Sequence, residues 1–476
     1  MRHVKKLAFA AGACGLAAAT AVSGAAMATG ATVTAAGTPA SASATADITL
    51  HPDALRLAAD HSSSPETLAQ CEAQYHIACY DPAQIRAAYN LPRLYNEGYT
   101  GKGTTIVIVD SFGSPTIRHD LGVFDSAYGI PAPPSFKIIT PAGKLPKWNP
   151  KDSDMTGWGG ETTLDVEWAH TIAPGANILL VETPVSETEG VQGFPQIVKA
   201  EEYAMTHYHV DVISQSFSAT EQTFPSLASV EGLRGANFMA EKKGVTMLAA
   251  SGDSGAADVG LDGSTYYLFP VTSWSDSDPL VTGVGGTDVH LNSAGQRTSP
   301  DTAWNDTYNK YVNGTSAPTP SAGGGGKSIL FSRPSYQNGV AAEVGNARGV
   351  PDISMSGSGS GAVTTYDSFP GGGPAGWYPT WGTSEATPMF AGMVALASQY
   401  AGHSLGLINP ALYQMSAEDM PGIVPVTSGN NTVTFIQGGK QYTVQGWNAR
   451  AGYSLAAGVG TVDAWYFVPE LAKLAG

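Results

Sequence analysis

The sequence predicts an α/β fold with a mostly parallel central sheet flanked by helices, and three observations carry that reading. Residues 104–109, Thr-Thr-Ile-Val-Ile-Val, form a β-branched run without polar alternation, as expected of a strand buried on both faces. Runs of the same kind recur at 176–181, 210–214 and 245–250. Helical stretches around 161–171, 194–207 and 227–243 separate them, and strand alternating with helix implies parallel crossover units. In such a sheet the ligand site lies at the carboxyl ends of the strands.

Taken in order, the chain opens on Arg2, His3, Lys5 and Lys6, then an Ala/Gly-rich apolar run to residue 28. Small-residue sites follow at Ala26-Met27-Ala28 and Ala42-Ser43-Ala44. A basic start, an apolar middle and small residues read as a secretory signal. Residues 1–44 are therefore expected to be a signal peptide and small-residue leader, 45–76 a short pro-like or linker segment, and 77–476 the folded domain of a secreted protein. Cys14 falls in the leader; Cys71 and Cys79, eight apart, are expected to close a small disulfide loop in an exported chain. Residues 80–101 read as a short helix and a turn that feed the strand at 104–109. The Gly/Ser/Pro-rich stretches at 313–327 and 356–375 read as long surface loops.

Composition bounds the function. With 57 Gly, 31 Pro, 20 Tyr and only 13% charged residues, the chain reads as a loop-rich extracellular enzyme with a large core. Its net charge of −16 argues against nucleic acid or an anionic membrane as partner, because both would repel it. Few lysines also suit an acidic medium. A monomer is expected.

Three segments carry chemistry. In Gly382-Thr383-Ser384, with Pro388 four residues on, a serine stands at the start of an apolar helix, where the positive field of the helix end favours negative charge on or near its hydroxyl. Taken alone, such a serine is more often only a helix cap. Glu161 and Asp165 are four apart at the start of a helical pattern and share a face. Like charges at that spacing destabilise a helix, and one carboxylate raising the pKa of the other is a common functional reason. Two solvated acids near a helix start are the plain alternative. In Ser251-Gly252-Asp253-Ser254-Gly255, a buried strand opens into a glycine-flanked turn bearing an acid, which by itself is an ordinary turn aspartate. No histidine has a setting that recommends it as the base.

In chain order, the Glu161–Asp165 pair, then Asp253, then Ser384, the three segments resemble the sedolisin family of serine-carboxyl peptidases, from about Tyr80 to the C-terminus. The resemblance includes Gly101-Lys102-Gly103-Thr104-Thr105, Ile172-Ala173-Pro174-Gly175-Ala176, Ile213-Ser214-Gln215-Ser216 and Gly349-Val350-Pro351-Asp352. It implies a subtilisin-like fold and an endopeptidase that works in acid on protein or peptide substrates, with Ser384 as nucleophile, Glu161 as general base, Asp165 orienting Glu161, and Asp253 as oxyanion donor. A carboxylate base with a pKa of about 4 is still ionised in mild acid, where histidine is already protonated. A protonated Asp253 can donate to an oxyanion, so activity should fade as pH rises.

The chain also departs from the family. Trp381 and Glu385 flank the serine motif where the family has small residues. The family's calcium ion is held by an Asp-Ile pair and a later Gly-x-Gly-x-Asp; the matching stretches, Pro425-Val426-Thr427-Ser428-Gly429 and Arg450-Ala451-Gly452-Tyr453-Ser454, lack both aspartates. No metal or other cofactor is expected, unless Asn430, Asn431 or Asn448 rebuilds that site. Two other readings stand beside the peptidase: a secreted pseudo-peptidase or binding protein on the same scaffold, and a glycoside hydrolase using Glu161 and Asp165. The second suits the residues poorly, since side chains four apart on one helix do not flank a sugar bond from opposite faces.

Overall fold

The computed structural model describes residues 55–56 and 64–475. The expected signal and leader, 1–44, and most of the segment to residue 63 lie outside the described residues.

The elements that build the site are, in order, β1 (Leu55–Arg56), α1 (Leu68–Gln74), β2 (Ala78–Tyr80), β3 (Thr105–Ser111), α2 (Ile117–Tyr128), β4 (Phe136–Ile139), α3 (Ser153–Ile172), β5 (Asn177–Thr183), α4 (Phe194–His207), β6 (Val212–Gln215), α5 (Gly235–Lys243), β7 (Thr246–Ala250), β8 (Thr282–Asp288), β9 (Thr302–Ala303), β10 (Ile353–Ser356), β11 (Gly361–Asp367), β12 (Gly376–Trp381) and α6 (Thr383–Ala401). The central sheet has eight strands, running β9-β8-β7-β6-β3-β5-β4 with β10 also paired to β8. Every pairing in it is parallel except β8 with β9. The strands expected at 104–109, 176–181, 210–214 and 245–250 are β3, β5, β6 and β7.

Both faces of this sheet are covered. Along β3, Ile106 and Ile108 face one apolar cluster while Val107 and Val109 face another, and all four are fully buried. Each such side chain stabilises the fold by about 1.5–3 kcal/mol. Two helices, α3 and α6, are buried nearly all round and cross at Gly392. A β-carbon there would lie 2.5 Å from Cβ of Ile172, so only glycine permits the approach.

Four expectations change. Helix α3 begins at Ser153, eight residues before the pattern that suggested it, capped by Asp152, whose carboxylate accepts from the N–H groups of Asp154 and Met155. Gly157, Gly159 and Gly160 lie inside it. They favour a turn by propensity, but Gly159 sits against Trp148 and Phe369, where a side chain would collide. Glu161 and Asp165 are thus mid-helix and fully buried, not solvated at its start. The 356–375 stretch contains β11, whose Ala-Val-Thr-Thr core is buried. The 313–327 stretch is not all surface, since Ser321–Gly326 is buried and a β-carbon on Gly324 would fall 1.8 Å from the carbonyl oxygen of Ser251. The stretch 227–243 breaks near Gly232 into a short helix, Leu227–Glu231, and α5.

The segment before residue 77 is tied to the rest. Cys71 and Cys79 form the expected disulfide, and β2 pairs with β11. Strand β1 lies antiparallel to β12, so β1, β12, β11 and β2 make a second sheet. Among the described residues no helix is long and apolar enough to cross a membrane.

Candidate active site

Strand β12 runs into Gly382, which takes φ 132°, a conformation that a side chain would strain, and the chain turns directly into α6. Thr383 and Ser384 are its first residues. Pro388 is the sixth, so its missing N–H withdraws the helical partner of the Ser384 carbonyl. Ser384 is 2% exposed, and its hydroxyl donates to the carbonyl of Ser216 at 3.4 Å, just past the carboxyl end of β6.

Ser216 links two of the three segments. Its own hydroxyl donates to Oδ1 of Asp165 at 2.8 Å, and Asp165 hydrogen-bonds Glu161 one turn back on α3. Burial, then the charges of Asp110 and Glu161, push the Asp165 carboxyl well above its usual range. With Oδ1 accepting from Ser216, a retained proton belongs on Oδ2, where it can be given to Glu161. Glu161 is then the carboxylate able to accept a proton. Asp110, at the end of β3, completes the acidic group; burial raises it to about 7 against an opposing bond from Thr162.

Asp253 follows β7 and meets the start of α6. Its Oδ1 accepts from both the N–H and the hydroxyl of Thr383, each at 2.7 Å, while the Thr383 hydroxyl accepts from Gly252 N–H at 3.2 Å. Two bonds on one oxygen leave the proton of a neutral Asp253 to Oδ2, the oxygen not engaged by Thr383. The four sequence-predicted residues therefore sit on segments linked through Ser216 and Thr383. Neither linking residue was singled out for a role, although Ser216 directly follows a parallel strand, where ligand sites lie. His170, on the same helix as Glu161, is nine residues on; it contacts the Pro131 carbonyl at 2.9 Å, and burial lowers it to about 4.

The flanking residues do not line an open pocket. Trp381 is fully buried against Ile77, Trp304, Val312 and Ala362. Glu385 is fully buried too. At the family's calcium position, Val426 packs with Ala303, Ala449, Ala456 and Ala457 in an apolar cluster. The side-chain oxygens of Asn430 and Asn431 accept from the backbone of Thr432 and Trp447. That donor set does not fit a hard cation, which takes six or more oxygens, including carboxylates.

A parallel α/β sheet with a serine at a buried helix start, reached through β-strand ends bearing carboxyls, defines the subtilisin-like class. The model of the subtilase family matches residues 153–453. Kumamolisin of Bacillus sp. (strain MN-32) is 31% identical over 360 residues, covering 74% of this chain and 58% of that one. Tripeptidyl-peptidase sed4 of Aspergillus fumigatus is 31% identical over 290 residues, 53% of this chain and 42% of its own length. The solved Pseudomonas sedolisin, a serine-carboxyl proteinase complexed with two molecules of pseudo-iodotyrostatin, superposes with a TM-score of 0.65 at 24% identity, over 84% of this chain and 99% of that one. The chain belongs to the subtilase family, in its sedolisin branch. It spans about three fifths or less of the length of these curated relatives.

Proposed function

We propose that this chain is a secreted serine-carboxyl endopeptidase that hydrolyses peptide bonds in acid. The observation that carries the reading is the run of contacts from Ser384 through Ser216 to Asp165 and Glu161, with Asp253 held on Thr383 beside the nucleophile. Ser384 Oγ attacks the scissile carbonyl and its proton passes to Glu161, which Asp165 orients. The carbonyl oxygen, now negative, accepts a hydrogen bond from neutral Asp253 and lies in the field of the α6 N-terminus. As the C–N bond breaks, Glu161 returns the proton to the leaving amine; water then attacks the acyl-enzyme by the same route in reverse order. The apolar cluster around Val426 supports a catalyst that needs no calcium. Export is supported by the Cys71–Cys79 disulfide, since such bonds persist in oxidising compartments.

The test compares wild type with Ser384→Ala on denatured protein at about pH 4. Turnover should fall by at least about 10⁴-fold in the variant. Equal degradation by both, or by neither, sinks the peptidase and leaves the binding-protein reading. The likeness to a tripeptidyl-peptidase favours a second mode, removal of tripeptides from a free amino end. An amino-blocked peptide separates the modes, because an endopeptidase cleaves it and a tripeptidyl-peptidase does not. Added chelator should leave both activity and thermal midpoint unchanged.

A further inference from the structure

The residue after the nucleophile has no part in the scheme above, yet its setting is costly. Glu385 lies in the first turn of α6, with no exposure to solvent, and neither carboxyl oxygen has a partner at hydrogen-bonding geometry. Its backbone N–H closes the turn on the Gly382 carbonyl at 2.9 Å. The polar side chain that faces it is Ser356 at the end of β10, whose own N–H donates to the Tyr89 hydroxyl at 2.8 Å. An ionised carboxylate with no cation and only one hydroxyl turned toward it is far more costly in such a place than a neutral acid, and a buried acid so sparsely partnered calls for a functional reason.

The titratable groups on the elements around this turn are Asp253 before it, Glu161 and Asp165 on α3, Asp110 ending β3, Asp288 ending β8, and Tyr89 behind Ser356. Besides burial, which raises the Glu385 carboxyl well above its usual range, only the Ser356 hydroxyl acts on it among these, and in the opposing direction. The cation behind Ser356 is Arg297, stacked on the Tyr89 ring at 5.0 Å, and it is paired with Asp301 at 2.7 Å rather than with Glu385.

We propose that Glu385 is a positioning residue for the reaction: while neutral it leaves the first turn of α6 positive toward the reacting oxygen, and once ionised it cancels that field and stops turnover. The inference rests on Ser384 being the nucleophile. The physical step is short. The dipole of this turn favours the oxyanion, and a negative charge one residue from Ser384, in a buried site where screening is weak, opposes the same charge build-up. The upper pH limit of activity is then set by two acids, Asp253 as donor and Glu385 as a charge that must stay absent.

The test is the pH profile of kcat/KM between pH 3 and 8 for wild type, Glu385→Gln, Asp253→Asn and the double variant. Glu385→Gln keeps the shape and cannot ionise, so its falling limb should move up by about one pH unit, roughly a tenfold gain where wild type has dropped tenfold. The double variant should extend furthest. A Glu385→Gln limb that superposes on wild type, whatever its height, overturns the proposal. Should that variant fail to fold, Ser356→Ala serves: losing a hydroxyl that favours the ionised form keeps Glu385 neutral to higher pH, so the limb again moves up, and an unmoved limb overturns the proposal. Ser384→Ala in each background separates the two ideas. Activity that survives it refutes the nucleophile assignment, whereas activity that it abolishes leaves the Glu385 result to be judged by its limb alone.

Discussion

Asp253 accepts two bonds from Thr383 on one oxygen, and this asymmetry decides what substitution there does. In Asp253→Asn the amide oxygen can keep both bonds while the NH₂ takes the place of the acid's O–H, a donor that pH cannot remove. Activity should be lower at pH 4, where an amide donates less strongly than a carboxylic acid, but should extend toward neutrality. A pH profile of kcat with an unmoved upper limb would take Asp253 out of the oxyanion role. At this scale the sequence was informative where spacing alone carried meaning: Glu161 and Asp165 four apart, and Ser384 at the head of an apolar run. It was silent on Ser216 and Thr383, because a hydroxyl that joins two distant segments has no local pattern. Asp110 looked like one more polar residue closing a strand; its closeness to Asp165 is a product of the sheet.

Among the elements, α3 and β11 were hardest to read, for the same physical reason. Glycine lowers helix and strand propensity by up to about 1 kcal/mol per residue, but burial of the Trp158 and Leu164 faces in α3 and of Ala362 and Val363 in β11 outweighs it. The regular β-branched strands were legible because no competing signal interrupts them. The disulfide between α1 and β2 is an element-scale staple: it closes an eight-residue separation, and Leu68 beside it joins the main core. Replacing Cys71 and Cys79 by serine should cost about 2–3 kcal/mol by the loop-entropy relation. The fall should appear in denaturant midpoints of the oxidised protein. If reductant leaves the wild-type midpoint where it was, the staple contributes nothing.

Across the whole molecule, acids are buried in unusual number. Burial raises Asp110 and Asp125 to about 7, Glu182 and Glu201 to about 8, and Glu189 to about 9. Glu167, Asp276 and Glu385 are raised well above the usual range for the same reason. The folded chain therefore holds protons that the unfolded chain, with carboxyls near 4, has released. Their stabilising contribution is complete below about pH 4 and is lost progressively as pH rises from there through the folded values of about 7 to 9. His170, lowered to about 4 by burial, acts in the opposite sense: below about 6.5 the unfolded chain gains a proton there that the folded chain refuses. One histidine against eight carboxyls leaves acid the stabilising condition. Urea midpoints should be higher at pH 4 than at pH 8, and equal midpoints would mean that these groups ionise in the fold without penalty.

Where α3 and α6 touch, the contact depends on an atom that is missing. Gly392 has nothing beyond its α-carbon to hold Ile172 away, and the helices it brings together carry Ser384, the proposed nucleophile, on one side and Glu161, its proposed base, on the other. The spacing of these two side chains is in this sense set about two turns from Ser384 and about three from Glu161, by a residue with no chemistry of its own. A library randomised at position 392 and selected for turnover would be expected to return glycine.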